Sequence, residues 1–158
     1  MGRMYRIVAE GISLGQIDTG DLLVIQGAPE LAVVVHTIRV TQRNEELAAQ
    51  FRLRTVRRAT APGGTPILII PSKQLPGDAA ASVTVFSGLI PAANVGTEVA
   101  VLDSDNQSLP NGFVYIPTPE TRISVIGTTS YLALHVPEAH GQAGNVVFDV
   151  VVDVEEIG

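Results

Sequence analysis

Residues 146–156 read VVFDVVVDVEE, the clearest β-strand pattern in the sequence. Apolar side chains stand at every second position, and the carboxylates of Asp149, Asp153 and Glu155 fall between them. Because successive side chains of a β-strand point to opposite faces, this alternation predicts a strand with an apolar inner face and an acidic outer face. The side chains predicted to face inward are Val146, Phe148, Val150, Val152 and Val154.

Residues 47–58 show the same alternation with the opposite charge. The predicted inner face carries Leu47, Ala49, Phe51, Leu53 and Thr55. The predicted outer face is basic and carries Gln50, Arg52, Arg54 and Arg58. A basic and an acidic strand face can pair with each other, within one copy or between two copies. The candidates for protein contact are therefore Arg52, Arg54, Arg58, Asp149, Asp153 and Glu155.

A third segment, residues 33–43, is largely apolar on both of its predicted faces. One face is expected to carry Val33, Val35, Thr37 and Arg39, and the other Val34, His36, Ile38 and Val40. A strand that is covered on both faces is typical of the middle of a sheet, so we predict a central strand here.

The rest of the chain is divided into short segments by its 10 prolines and 15 glycines. Their length and composition predict further strands at residues 5–9, 22–26, 66–70, 82–86, 98–102, 112–116, 122–126 and 131–136. Turn-forming sequences separate most of them, among them PGG at 62–64, LPGD at 75–78 and PNG at 110–112. The helix-like residues 44–50 are better explained as a turn that leads into the strand at Phe51.

These strands predict the fold class. Many short antiparallel strands with one apolar face each must bury those faces against one another. A chain of 158 residues can also bury about two thirds of its unfolded surface without a metal or crosslink. We therefore predict an all-β fold in which residues 1–158 form a single two-sheet sandwich domain of the jelly-roll type. Alternation does not give strand order, so an immunoglobulin-like sandwich is the alternative.

The amino-acid composition favours some classes of function and excludes others. Charged residues make up 16% of the chain, aromatic residues 4%, and the formal net charge is −6. Charge is depleted where proteins contact one another, so these values favour a protein that packs against neighbouring chains. Cysteine is absent, which excludes disulfides and thiol chemistry. Neither a secretory signal nor an apolar run of about 20 residues is visible, so we expect a protein that works in water and not in a membrane.

No catalytic centre is recognisable in the sequence. The histidines, His36, His135 and His140, lie near no nucleophile motif. His36 and His135 fall within predicted strands, where a hydrogen-bonded structural role is expected, and His140 is expected to be a loop residue. We therefore predict a protein that is not an enzyme and has no cofactor.

A metal site is not expected either. Residues 103–107, DSDNQ, begin as a calcium-binding loop does. The sixth position is Ser108 and the twelfth is Val114, where such a loop requires glycine and glutamate. We interpret this segment as an ordinary polar loop.

The arginines allow two further readings of the surface. Nucleic acid binds basic stripes, and Arg39, Arg43 and Arg57 extend the arginine set named above. The acidic balance, the absence of tryptophan and the lack of interleaved aromatic residues count against nucleic acid. A carbohydrate-binding or adhesion module is the alternative function, although a sugar site would need an aromatic platform.

Residues 54–85 carry a resemblance to a known group of proteins. They read RTVRRATAPGGTP at 54–66 and PSKQLPGDAAASVTV at 71–85. An arginine-containing strand, a Gly/Thr turn, a loop with Leu-Pro-Gly-Asp and an Ala/Thr-rich strand follow one another. This order resembles small virion structural proteins of tailed phages and prophages. The ending, with LALHV at 132–136 and the strand at 146–155, is similar to theirs as well.

The resemblance implies a jelly-roll or related sandwich that assembles as a homotrimer. Such a protein decorates or cements a capsid, or forms part of a head or tail surface. The implied partners are further copies of the chain and the major capsid protein or other virion proteins. The implied location is the virion, after synthesis in the host cytoplasm, and no catalytic residue carries over.

Overall fold

The computed structural model describes residues 2–43, 50–108 and 112–158. Within these residues the chain forms short and long β-strands joined by turns and two short 3₁₀ segments at Ala92–Asn94 and Pro119–Thr121. The strands are β1 Arg3–Leu14, β2 Gly20–Gln26, β3 Ala32–Gln42, β4 Gln50–Arg58, β5 Ile67–Ile69, β6 Ser72–Lys73, β7 Thr84–Pro91, β8 Glu98–Ser108, β9 Phe113–Tyr115, β10 Ser124–Ile126, β11 Tyr131–Val136 and β12 Val146–Ile157.

The strands form two antiparallel sheets that pack as a sandwich. Sheet A has the order β10-β3-β12-β1-β6, and β9 also pairs with β3. Sheet B has the order β5-β7-β2-β11-β4-β8. Apolar side chains from both sheets meet in one core, because each strand turns its apolar face inward. The predicted all-β, two-sheet sandwich is confirmed.

β12 supplies the middle of that core, as its alternation predicts. Its inward side chains, Val146, Phe148, Val150, Val152 and Val154, are 0–1% exposed. Tyr5 of the neighbouring β1 is also fully buried, and its hydroxyl donates a hydrogen bond to the Ala79 carbonyl at 3.1 Å. Burying such side chains stabilises the fold by about 1.5–3 kcal/mol for each large one.

β3 contains a β-bulge that the sequence alternation does not reveal. Val35 pairs with Val154 and Thr37 pairs with Asp153, so His36 is the extra residue. A bulge puts two residues opposite one and reverses the alternation of the side chains that follow. The predicted division of this strand into two faces is therefore wrong beyond His36. The side chains that enter the core are Val33, Val35, Ile38 and Val40. The central position of β3, between β12 and β9/β10, is confirmed.

A second apolar layer lies on the outer face of sheet B. It consists of Val24, Val56, Ile90, Tyr131 and Ala133, with Phe86 and Val95 packed against it. Val95 belongs to residues 92–97, which connect β7 to β8 and which we call the cover. The cover is hydrogen-bonded to the loop after β4. The Ala59 N–H donates to the Thr97 carbonyl at 2.9 Å, and the Gly63 N–H donates to the Asn94 carbonyl at 2.7 Å.

The predicted strand positions are confirmed with two kinds of difference. β8 extends to Ser108, so the residues interpreted as a polar loop, 103–107, belong to a strand, and that interpretation is wrong. β6, with two residues, was not predicted. Residues 44–49 and 110–111, with the predicted inward Leu47 and Ala49, lie outside the described residues, as does the side chain of Phe51. In the described part of the chain, no helix has the length and apolar character to cross a membrane.

Candidate protein-contact surfaces

The acidic candidates lie on the outer face of sheet A, where each has a partner within the chain. Asp153 accepts hydrogen bonds from Arg6 Nε at 2.7 Å and from Thr37 Oγ1 at 2.8 Å. Asp149 accepts from Arg43 Nε at 2.7 Å and from the backbone N–H of Gly11 at 2.8 Å. Glu155 lies 2.9 Å from His36 Nε2. The outward direction predicted for Asp149, Asp153 and Glu155 is correct, and Arg43 and Arg6 form ion pairs with the two aspartates.

These contacts set the ionisation of the two aspartates. Burial by itself would raise the pKa of Asp153, but the hydrogen bonds from Arg6 and Thr37 outweigh it and the pKa lies below its usual value. Burial likewise opposes ionisation of Asp149, and the hydrogen bonds from Arg43 and Gly11 again lower the pKa. Both carboxylates are therefore more acidic in the folded protein than in the unfolded chain.

The lowered pKa values predict a loss of stability in acid. A group with a depressed folded-state pKa stabilises the protein above its unfolded value of about 3.9, and that contribution disappears as the pH falls through the folded-state pKa. We expect the double variant Asp149→Asn/Asp153→Asn to lose about 1–2 kcal/mol per site at pH 6. Below about pH 3 the difference from the parent should shrink. Urea unfolding between pH 6 and pH 2.5 measures both effects.

The control for this experiment is Glu10→Gln, because Glu10 also faces Arg43 but its side chain is exposed. We expect this variant to follow the parent within about 0.5 kcal/mol across the pH range. A double variant that keeps the full difference from the parent at pH 2.5 would contradict the ionic origin of the contribution.

The basic candidates lie on the outer side of sheet B and have different environments. Arg52 Nη1 donates to Glu138 Oε1 at 3.1 Å, and both side chains are accessible to solvent. Arg54 is half-buried, and its Nε atom is buried without a hydrogen-bond partner. Arg58 is only 3% exposed, so its assignment to an accessible basic face is wrong. The alternation gives the correct side of β4, but the loop after β4 and the cover make that end of the face inaccessible.

Arg58 takes part in a buried charge cluster that the sequence does not show. Its Nη2 and Nε atoms donate to the two carboxylate oxygens of Asp21 at 2.7 Å and 3.0 Å. Asp21 is fully buried and also lies 2.8 Å from His135 Nδ1. Arg58 Nη1 donates to the carbonyl of Gly96, in the cover, at 3.1 Å. The cluster therefore joins β2, β4 and β11 to the cover.

The acidic and the basic candidates do not meet within one copy of the chain. They lie on the outer faces of opposite sheets, and among the described residues no ion pair joins the two sets. Pairing between Arg52 or Arg54 of one copy and Asp149, Asp153 or Glu155 of another stays a prediction. Arg58 is too deeply buried to contribute to it.

The three histidines are hydrogen-bonded in the structure, as expected for His36 and His135. His140 is a loop residue, as expected, and it is buried, with Nε2 lying 3.4 Å from the Leu14 carbonyl. Among the described residues, no three acidic or histidine side chains are grouped in a way that could hold a metal ion.

An exposed apolar edge is a further surface that the sequence analysis did not identify. Four large apolar side chains between residues 67 and 75 are 63–89% exposed, Ile67, Leu68, Ile70 and Leu75, whereas Ile69 packs against the core. β5 is the edge strand of sheet B and pairs with β7 alone within the described residues. The signal was present in the sequence, because Lys73 and Asp78 are the only charged residues from 59 to 97.

Comparison of the chain with models of protein families, with curated proteins and with solved structures gives no match.

Proposed function

We propose that this chain is a non-enzymatic structural protein that acts through contacts with other protein chains. The specific setting that we propose is a phage virion, where it would decorate or cement the capsid or form part of a head or tail surface. Its partners are further copies of itself, in a trimer, and the major capsid protein. The observation that carries this proposal is the exposed apolar edge at β5.

The edge has the properties of a surface that another chain covers. Four large apolar side chains lie within nine residues of one another, Ile67, Leu68, Ile70 and Leu75, and all are mostly exposed. Monomeric proteins in water rarely expose contiguous apolar patches of more than a few hundred Å². A partner that is equally poor in charge would bury this edge without desolvating ionised groups.

The strand order supports the jelly-roll form of the sandwich that we infer for this role. β1, β12, β3 and β10 are neighbours in sheet A, while β2, β11, β4 and β8 are neighbours in sheet B. The chain therefore changes sheet at each step from β1 to β4 and again from β10 to β12. A jelly roll has this interleaving of two Greek keys, and viral capsid domains use it. An immunoglobulin-like sandwich would join neighbouring strands of one sheet by hairpins.

The alternative of a carbohydrate-binding module lacks an observation in its favour. Sugar rings stack on exposed aromatic side chains. Among the aromatic rings whose environment the structure describes, Tyr5, Phe113, Tyr131 and Phe148 are buried, and Phe86 and Tyr115 are half-buried. The described surface therefore offers no exposed aromatic platform.

The oligomer is tested with a charged substitution on the apolar edge. We expect the parent to be an oligomer in light scattering at about 100 μM, a concentration at which an interface of standard size is populated. Ile70→Asp should shift it to the monomer, because a carboxylate placed in an apolar interface would be desolvated without a partner. A parent that is monomeric at this concentration would refute the oligomer.

The matched control is Ile17→Asp. Ile17 is 82% exposed, as Ile70 is at 89%, but it lies in the turn between β1 and β2 and not on the apolar edge. This variant should keep the oligomeric state of the parent. Dissociation of both variants to the same extent would indicate an unspecific effect of added charge and would contradict the assignment of the interface to β5.

The virion setting requires a separate experiment. We expect the protein to co-sediment with empty capsids assembled from the major capsid protein of the same genome. The Ile70→Asp variant serves as the comparison, since an oligomeric decoration protein binds through several subunits and loses avidity when it dissociates. Absence of the parent protein from the capsid fraction would refute the virion role while leaving the oligomer intact.

A further inference from the structure

A cleft of about 490 Å³ opens at the side of the sandwich opposite the apolar edge. It lies where β4 and β8 of sheet B face β9 and β10 of sheet A. The residues that line it include Arg57, Leu102, Asp103, Arg122 and Ser124. Such a volume accommodates a side chain or a small molecule.

Two arginines of the cleft have no acidic partner in ion-pair distance. In the described part of the chain, no carboxylate oxygen lies within 4.0 Å of the guanidinium of Arg57 or Arg122. Among the described residues, Arg57 donates only to neutral oxygens, the Ser130 hydroxyl at 3.4 Å and the Ser124 carbonyl at 3.2 Å. The Nε atom of Arg122 is buried and has no hydrogen-bond partner within the part of the chain that the structure describes.

A buried donor without an acceptor is destabilising, so an ordered water or a bound ligand is expected to supply the acceptor that the described residues do not. The planar guanidinium matches a carboxylate, which can accept two parallel hydrogen bonds from it. Asp103 also lines the cleft, and the exposed Glu120 lies close enough to Arg122 for an electrostatic interaction. Neither carboxylate forms an ion pair with these arginines within the described residues, so hydrogen-bonding capacity of the guanidinium groups remains available to a carboxylate of a partner.

The strand that borders the cleft also has an unpaired edge. β8 pairs with β4 on one side, and no other described strand pairs with it. Its side chains Val99, Val101 and Leu102 are 39–61% exposed. An extended segment of another protein can add to such an edge, because the free backbone N–H and C=O groups supply its hydrogen bonds.

We propose that β8 and the cleft together bind an extended acidic segment of a partner protein. The segment pairs with β8 as an additional strand, its apolar side chains cover Val99 and Val101, and one carboxylate enters the cleft between Arg57 and Arg122. This inference rests on the proposed role in protein contacts. It adds that the partner at β8, the edge of sheet B opposite to β5, is an acidic segment. Asp103 weakens the binding through repulsion of the incoming carboxylate.

The test uses a six-residue peptide, acetyl-Val-Thr-Val-Glu-Val-Thr-amide with a fluorescent label, and fluorescence anisotropy. We expect this peptide to bind saturably. A counterpart with Gln in place of Glu should bind about tenfold more weakly, because a charge-assisted hydrogen-bonded pair is lost. Arg122→Leu should weaken binding of the Glu peptide by a similar factor and leave the Gln peptide unchanged. The matched control, Arg39→Leu, removes the same charge from the outer face of sheet A and should bind as the parent does.

A variant with stronger binding separates this effect from misfolding. Asp103→Asn should bind the Glu peptide about threefold more tightly, since it removes the repulsive charge, and a misfolded protein would not gain affinity.

Glutarate should compete with the labelled peptide only at concentrations at least about tenfold higher than those at which the unlabelled peptide competes, because it lacks the strand contacts. Equal competition by glutarate would overturn the peptide as occupant, and unchanged binding by Arg122→Leu would overturn the carboxylate site. The Ile70→Asp monomer should still bind the peptide, so failure of the oligomer and failure of this site give different results.

Discussion

Replacing Asp21 with alanine is expected to lower the free energy of unfolding by about 3–5 kcal/mol. Asp21 is fully buried, and its carboxylate accepts hydrogen bonds from Arg58 at 2.7 Å and 3.0 Å. Without it, the guanidinium of Arg58 would remain buried, and its partners among the described residues would be only the Gly96 carbonyl and the more distant Glu98. An unpaired buried charge of this kind is among the most destabilising single changes in a protein.

The measurement is urea unfolding at a fixed protein concentration, because oligomerisation makes apparent stability depend on concentration. Glu138→Ala is the control, since it removes the acidic partner of Arg52 from an exposed ion pair. This control should cost no more than about 1 kcal/mol. A similar cost for both variants would mean that Arg58 finds other partners and that the buried cluster contributes little to the stability of sheet B.

Gly20→Ala is expected to lower the free energy of unfolding by about 2–4 kcal/mol. Gly20 has a φ of 152° and lies against β7, where an added Cβ would overlap the carbonyl oxygen of Ile90. The overlapping atom belongs to the backbone of a paired strand and cannot turn away as a flexible side chain could. We expect β2 and β7 to separate at this end, which urea unfolding and a lower melting temperature would reveal.

Two glycines serve as matched controls for the two causes of this loss. Gly127 has a φ of 76° but open space where an added methyl group would lie, so Gly127→Ala tests backbone strain alone and should cost about 1 kcal/mol. Gly77 has neither a positive φ nor a close neighbour, so Gly77→Ala should be neutral or slightly stabilising. A Gly20→Ala variant that is no less stable than Gly127→Ala would contradict the steric explanation.

The sequence correctly predicts which side chains face the core where a strand is regular. It predicts them wrongly where a strand contains a bulge. β12 alternates over its whole length, and each predicted inward side chain is buried. β3 is equally apolar, but its bulge at His36 depends on the pairing with β12, which is distant in sequence. A bulge inserts one residue without any fixed composition, so the alternation continues in the sequence while it reverses in the structure.

The exposure of the candidate residues was predicted less well than the fold. The alternation of a strand shows to which face of the sheet a side chain points, but it does not show whether another segment covers that face. Arg58 points outward as predicted, yet it is buried among residues that follow β4 and β7. Its partner Asp21 is 37 positions away in the chain, and nothing near Asp21 marks it as buried. The apolar edge could have been found from the scarcity of charge between residues 59 and 97. The cleft could not, since Arg57 and Arg122 are brought together only by the packing of the sheets.

The position of β12 has a consequence for how the chain folds during synthesis. β12 lies between β1 and β3 in sheet A, so the register joins Arg3 with Glu156. While the ribosome is still translating β11, the first and third strands have no shared neighbour and expose their inner faces. Such distant pairings make folding slow and leave the nascent chain prone to association with other chains. Sheet A therefore cannot be completed until β12 has left the ribosomal exit tunnel.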